Sequence, residues 1–233
     1  DINMVLTEHA RRYLIAEGIR PEMIIKTGSS MKEVLDFHKN QIEASSVLSD
    51  LGLGKKDYFL VSAHREENID SEKNFRALME SLNAIVEKYE KRIIVSTHPR
   101  TRKKLELLGE GDASDKIEFM KPLGFFDYIA LQQNAICVVS DSGTITEECS
   151  LLNFPAVTIR QAHERPEGMD EGTLIMCGVS KDHVIESIEA VTAQHLEGDF
   201  KVISDYNVEN VSKKVLRIIM SYTEYINREV WHQ

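Results

Sequence analysis

Four short stretches carry side chains suited to handling an anion. They are Ala63-His64-Arg65-Glu66-Glu67-Asn68, His98-Pro99-Arg100-Thr101-Arg102-Lys103-Lys104, Asp141-Ser142-Gly143-Thr144-Ile145-Thr146-Glu147-Glu148 and Arg160-Gln161-Ala162-His163-Glu164-Arg165-Pro166-Glu167. Histidine and arginine can neutralise a phosphate or polarise a leaving group. The third stretch is a different device: a small polar loop that opens straight into a helix. Its free N–H groups and the positive end of the helix dipole favour a phosphate. Ser142 and Thr144 add hydroxyl donors, and Gly143 allows close backbone approach. Glu148, about one turn in, is placed to accept from two ribose hydroxyls. Each stretch has a bland alternative: an N-cap with a solvated acidic turn, an inert surface histidine, a solvated basic helix face. The third stretch is neither a Walker loop nor GxGxxG, so neither an NTPase nor an NAD enzyme follows from it.

The elements that must position these stretches are legible in the apolar pattern. Strand-type runs occur at residues 58–62, 92–97, 117–120, 136–140, 156–159 and 173–177. Helical segments are expected between most of them. The clearest has Phe75, Leu78, Met79, Leu82, Ile85 and Val86 on one face. Shorter helices are expected around residues 101–108, 127–133, 144–152 and 181–193. Strands alternating with helices imply parallel βαβ units, hence an α/β fold with a Rossmann-like, doubly wound parallel sheet. In such sheets ligands bind at the carboxyl ends of the strands. Each of the four polar stretches follows a strand, so they should converge on one crevice. A phosphorylated or nucleotide-linked ligand is the natural occupant.

The first part of the chain reads strand (3–7), helix (8–17), strand (23–27) and a helix from Met31. Residues 1–28 are assigned to the end of one Rossmann-like domain, mostly absent, and residues 29–205 to a second. Residues 206–233 form a terminal amphipathic helix with Val208, Val211, Val215, Ile218, Ile219, Tyr222, Ile226 and Val230 on one stripe, long enough to pack across domains. The chain opens in mid-element without an initiator Met and reads as a fragment.

The net charge of −10 argues against nucleic acid as a general partner, because binding a phosphate backbone needs a basic surface. A local Arg and His cluster can still hold one small anion. Cys137, Cys149 and Cys177 are widely spaced, form no CxxC pair and read as buried free thiols. No signal peptide or apolar run of membrane-spanning length is seen, so a cytoplasmic location is expected.

The motifs at 64–68, 141–148 and 164–167, in this order and spacing, resemble those of the non-hydrolysing UDP-N-acetylglucosamine 2-epimerases. The similarity runs from Asp1 to about Ala193. It implies the C-terminal half of a two-domain GT-B fold, with the nucleotide in the cleft between domains. By this resemblance His64 is the active-site histidine near the diphosphate and sugar, with Arg65 beside it. Ser142, Gly143 and Thr144 hold the diphosphate, Glu148 binds the ribose, and Arg165 faces the phosphates. Leu123 stands where better-known members often have Gln, leaving only backbone contact to uracil, and Tyr128 stands where they often have Phe. His98 falls near a second, activating UDP-sugar site of some members, and Arg160 is a further candidate on the sugar side.

The wording of the motifs resembles a subgroup that makes UDP-N-acetyl-L-fucosamine from the 6-deoxy L-talose sugar for capsule and O-antigen. The reaction implied is inversion at C2 by elimination of UDP to a 2-acetamidoglucal and re-addition, with no NAD and no metal required. The acid/base carboxylates belong to the N-terminal domain, so this chain alone should bind UDP weakly and not epimerise. The complete protein is expected to be a homodimer. Two other readings stay open: the nucleotide half of a GT-B glycosyltransferase, and a non-catalytic UDP-binding module.

Overall fold

A computed structural model of the chain describes residues 1–97, 113–162, 164–198 and 201–232. It divides into two compact units, Asp1–His38 with Val202–Gln233, and Lys39–Lys201.

The first unit contains a parallel pair, β1 (Asn3–Val5) and β2 (Ile24–Lys26), in the register Met4↔Ile25. Helix α1 (Glu8–Ala16) joins them, capped by Thr7, whose Oγ1 accepts from Ala10 N at 3.2 Å. Asp205 ties the later segment to this pair: its carboxylate accepts from Glu8 N at 2.8 Å and from Lys26 Nζ at 2.7 Å. Helix α2 (Met31–Phe37) follows. The terminal helix spans Val211–Glu229. Of its apolar stripe only Val211 is buried, and Ile219 is 52 % exposed.

The second unit opens with two short helices, α3 (Lys39–Glu43) and α4 (Val47–Asp50). Its sheet is built from β3 (Tyr58–Ser62), β4 (Arg92–Ser96), β5 (Ile117–Met120), β6 (Val138–Ser140), β7 (Ala156–Thr158) and β8 (Ile175–Met176). Among the described residues the order is β5-β4-β3-β6-β7-β8, all neighbours parallel. Every residue of β3 is buried, because a central parallel strand is covered on both faces and therefore reads as an unbroken apolar run.

The expected strands at 136–140 and 173–177 are shorter in the structure. Their flanks still bond: Ile136 N donates to Tyr58 O at 2.8 Å and Cys177 N to Thr158 O at 2.9 Å. The expected helix at 101–108 lies outside the described residues.

Helix α5 (Glu66–Ile69) is a single turn after β3. Helix α6 (Glu72–Tyr89) starts at Ser71, whose Oγ accepts from Asn74 N at 3.3 Å, and stops at Glu90 in a left-handed conformation. It buries Phe75, Leu78, Leu82, Ile85 and Val86 on one side of the sheet, joined there by Val184, Ile188 and Val191 of a later helix, Lys181–Glu197. Cys137, Cys149 and Cys177 are buried free thiols whose pKa values burial pushes up. No described helix is long and apolar enough to cross a membrane.

The strand order has one functional consequence. From β3 the chain builds outward through β4 and β5, then returns to lay β6 on the other side of β3 and builds outward through β7 and β8. The reversal lies between β3 and β6. Connections leave that point in opposite directions, and the loops open a crevice at the carboxyl ends of the strands.

Candidate functional site

The loops after β3 and β6 leave the sheet side by side, since Ser62 is in register with Ser140. Asp141 joins them. It is fully buried, and its N–H donates to Ser62 O at 3.1 Å. Its carboxylate accepts from His64 N at 3.0 and 3.1 Å, from Arg65 N at 2.9 Å and from Asn68 Nδ2 at 3.1 Å. A buried carboxylate is tolerated when donors surround it, and here they are the backbone that carries His64 and Arg65. Arg65 Nε returns the contact by donating to Asp141 O at 3.0 Å. The catalytic candidate of one loop is therefore held by the first residue of the other.

Beside this clamp lies a cavity of about 430 Å³. Ser62, His64 and Ser96 line it from the ends of β3 and β4. Pro122, Leu123 and Phe125 form an apolar side where helix α7 (Phe125–Asn134) begins, and Tyr128 enters from that helix. Ser142, Thr144 and Glu148 complete it from the loop and first turn of helix α8 (Ile145–Leu152). The volume falls in the range of small-molecule sites. One side offers apolar surface to a flat ring, and the other offers hydroxyls, an imidazole and a helix N-terminus to polar groups.

The polar groups hold one another in place. His64 Nε2 and Ser62 Oγ share a hydrogen bond of 2.6 Å. Ser142 Oγ lies 2.9 Å from Thr144 Oγ1 and accepts from Thr144 N at 3.3 Å, while Ser142 N donates to Ser140 Oγ at 3.1 Å. Glu148 accepts from Gln132 Nε2 at 2.6 Å. Burial raises the Glu148 pKa, opposed by hydrogen bonds from Gln132 and Thr144, and the Glu147 carboxylate raises it further. Burial also pushes the Tyr128 phenol up, although Ser62 and Gln132 hydrogen-bond its hydroxyl.

A narrower cavity of about 20 Å³ shares Ser142 with the first and is lined by Gly143, Arg160, Glu164 and Arg165 among others. Here the arginines have carboxylate partners from the chain itself. Arg165 Nη1 pairs with Glu147 Oε1 at 2.8 Å. Arg65 Nη2 reaches both oxygens of Glu164, at 2.9 and 3.1 Å, and Arg160 Nη1 pairs with Glu164 Oε2.

Of the residues singled out in sequence, the structure gathers His64, Leu123, Tyr128, Ser142, Thr144 and Glu148 around one cavity. Gly143, Arg160 and Arg165 line the adjoining one, and Arg65 bridges from Asp141 to Glu164. His98 lies outside the described residues. Sequence reasoning missed Ser62, Ser96, Gln132, Phe125 and the pairing roles of Asp141, Glu147 and Glu164. Only Asp141 left a trace: an acidic residue directly after an apolar strand is buried and must find donors. Among the described residues no group of three or more His, Cys, Asp or Glu is placed to hold a metal ion.

A parallel sheet with its polar loops gathered at the point of strand-order reversal defines a Rossmann-like nucleotide-type domain, the C-terminal half of a GT-B fold. The profile of the UDP-N-acetylglucosamine 2-epimerase family matches residues 1–220, and the chain belongs to that family. It is similar to the UDP-N-acetylglucosamine 2-epimerase of Methanocaldococcus jannaschii, 33 % identical over 211 residues, covering 81 % of this chain and 56 % of that protein. The structure of UDP-N-acetylglucosamine 2-epimerase from Rickettsia bellii superposes with a TM-score of 0.92 and 48 % identity, covering all of this chain and 62 % of that one. The M. jannaschii enzyme in complex with UDP-GlcNAc and UDP gives a TM-score of 0.86 at 28 % identity, covering 94 % of this chain and 61 % of that one. The chain thus spans about 60 % of the length of these relatives.

Proposed function

We propose that this chain is the nucleotide-binding portion of an epimerase that inverts C2 of a UDP-2-acetamido sugar. The observation that carries the reading is the single cavity at the point of strand-order reversal, where His64, the Ser142 to Thr144 loop, Glu148 and Tyr128 meet. The parts match the pieces of a nucleoside diphosphate. Leu123 and Phe125 offer a surface for uracil, Glu148 accepts from the ribose, and the loop with its helix N-terminus takes the diphosphate. Arg165 adds charge beside Gly143. The M. jannaschii relative, which holds UDP-GlcNAc and UDP, supports this assignment.

On this reading the reaction is an elimination and a re-addition. A base takes the C2 proton, the C1–O bond breaks with its electron pair leaving on UDP, and a 2-acetamidoglucal remains. Re-addition of UDP with protonation from the opposite face of C2 inverts that centre. The chain's own residues stabilise charge on the departing diphosphate, where preorganised donors contribute most. His64 stands at the sugar end of the diphosphate, held by Ser62 and by Asp141 through its backbone. We assign no NAD and no metal to the reaction. The finer substrate, UDP-N-acetylglucosamine or the 6-deoxy L-talose sugar of surface polysaccharide synthesis, turns on groups beyond the diphosphate. A cytoplasmic homodimer is the proposed state of the complete protein.

Calorimetric titration with UDP and UMP tests the assignment. UDP should bind, UMP should bind at least about tenfold more weakly, a difference of about 1.4 kcal/mol, and Ser142→Ala should weaken UDP. Equal affinity for the two nucleotides, or no heat with UDP at millimolar concentration, would refute it. In a protein extended to the length of its relatives, NMR of a UDP-acetamido sugar should show C2 inversion.

A further inference from the structure

The arginines of the phosphate region fall into two kinds, according to the carboxylate that each one holds. Arg165 pairs with Glu147, whose side chain is only 4 % exposed and sits in the first turn of the loop's own helix. Arg65 and Arg160 both pair with Glu164, whose side chain is 49 % exposed. It can turn into solvent at little desolvation cost.

Glu164 also stands in a telling place. A Cβ built on Gly143 would lie 2.6 Å from Glu164 Oε2 and 3.8 Å from Arg165 Nε. The carboxylate therefore rests against the one stretch of loop backbone with no side chain to keep an anion off. A carboxylate and a phosphate present similar oxygen pairs to a guanidinium, and both are bound by its fork. Arg160 is mostly buried, and its Nε has no hydrogen-bond partner among the described residues. It has more donor capacity than Glu164 uses.

We propose that Glu164 is a resident competitor for the phosphate subsite, a self-inhibiting carboxylate that rests against Gly143 and holds Arg65 and Arg160 until a diphosphate displaces it. The inference rests on the nucleotide reading above and deepens it. The diphosphate brings more charge than one carboxylate and engages the loop N–H groups as well, so it wins the exchange. Release of Glu164 turns two neutralised guanidiniums towards the ligand. The contacts to Arg160 and Arg65 also lower the Glu164 pKa, which keeps the competitor ionised.

The test compares UDP affinity by calorimetry in the wild-type chain and in Glu164→Gln, Glu164→Asp and Glu189→Gln. The last variant removes one negative charge from the Lys88 pair, away from the loop, and controls for net charge. Competition predicts that Glu164→Gln binds UDP at least threefold more tightly than Glu189→Gln does, with Glu164→Asp tightened to a smaller degree. Circular dichroism checks the fold, and Glu164→Asp carries the test if the amide variant does not fold. Unchanged or weaker UDP binding in the folded Glu164 variants would overturn the proposal and make Glu164 a residue that orients the arginines for the ligand. UDP binding by none of the four proteins would instead overturn the nucleotide reading itself.

Discussion

Asp141→Asn isolates the clamp that joins the two loops, and the geometry fixes the size of the effect. Neutralising a fully buried carboxylate removes a desolvation penalty, which on its own would stabilise the fold. Against that stand three donors, the N–H groups of His64 and Arg65 and the Asn68 amide, all within 3.1 Å of the carboxylate. Hydrogen bonds to a charged acceptor contribute about 1.5–3 kcal/mol each, and neutral ones about 0.5–1.5 kcal/mol. An asparagine has one carbonyl oxygen for these donors, and its NH₂ must face at least one of them. That buried donor loses its acceptor at about 1–3 kcal/mol.

The donors outweigh the desolvation gain, for a net loss of about 2–4 kcal/mol. A chain of this size loses about 2–4 °C per kcal/mol, so the thermal midpoint followed by far-ultraviolet circular dichroism should fall by about 5–15 °C. UDP affinity should fall with it, because His64 and Arg65 lose their fixed backbone. A change below about 0.5 kcal/mol, the size expected of a neutral surface substitution, would refute the claim that Asp141 holds the loops together.

Other substitutions probe the site and its frame. Glu148 has a pKa raised chiefly by burial, so the folded state binds its proton more tightly than the unfolded state. Folding stability from this group is therefore present below the unfolded pKa and is lost as pH rises through the folded one. Glu148→Gln should raise the thermal midpoint at pH 7 while lowering UDP affinity by tenfold or more, and the wild-type affinity should decline on acidification at a higher pH than an ordinary carboxylate would set. Gly143→Ala should leave the midpoint within about 2 °C, since the methyl meets the free end of the half-exposed Glu164 side chain, yet calorimetry should show weakened UDP binding because the methyl keeps the phosphate off the backbone. Tyr58→Phe removes the 2.6 Å hydrogen bond from a fully buried hydroxyl to Leu131 O and should cost about 1–2 kcal/mol in urea unfolding, with UDP binding unchanged. In the other unit, Gly28→Ala should destabilise strongly, because Gly28 has φ +87° and a Cβ there would run into Val208.

What the sequence made legible was what neighbouring residues decide. The unbroken run Tyr58–Ser62 marks a buried parallel strand, and the small polar run 141–144 marks a loop that opens into a helix, because both properties are local. The terminal helix shows the limit of the same logic. Its stripe is plain in the periodicity, but periodicity does not say what an apolar face meets, and beyond Val211 the helix residues are not buried. The partners of the site are illegible for a related reason. Asp141 finds its donors 73 to 77 positions away, and Arg65 finds Glu164 99 positions away. Strand order, which apolar patterning does not encode, decides such pairs.

That ordering also resolves a tension in the charge. A chain of net charge −10 places Asp141, Glu147, Glu148 and Glu164 around the region proposed to receive a diphosphate, against Arg65, Arg160 and Arg165, with the His64 imidazole nearby. Counted along the sequence, the four carboxylates outnumber the three guanidiniums by one. In space they do not act together. Asp141 is spent on backbone N–H groups and Glu147 on Arg165, and Glu148 faces the polar side of the cavity beside Gln132. Glu164 is the one of the four whose side chain is substantially exposed and which holds two arginines at once. Whether the region repels or receives an anion therefore depends on where that single carboxylate stands, and a charge count along the chain carries no information about it.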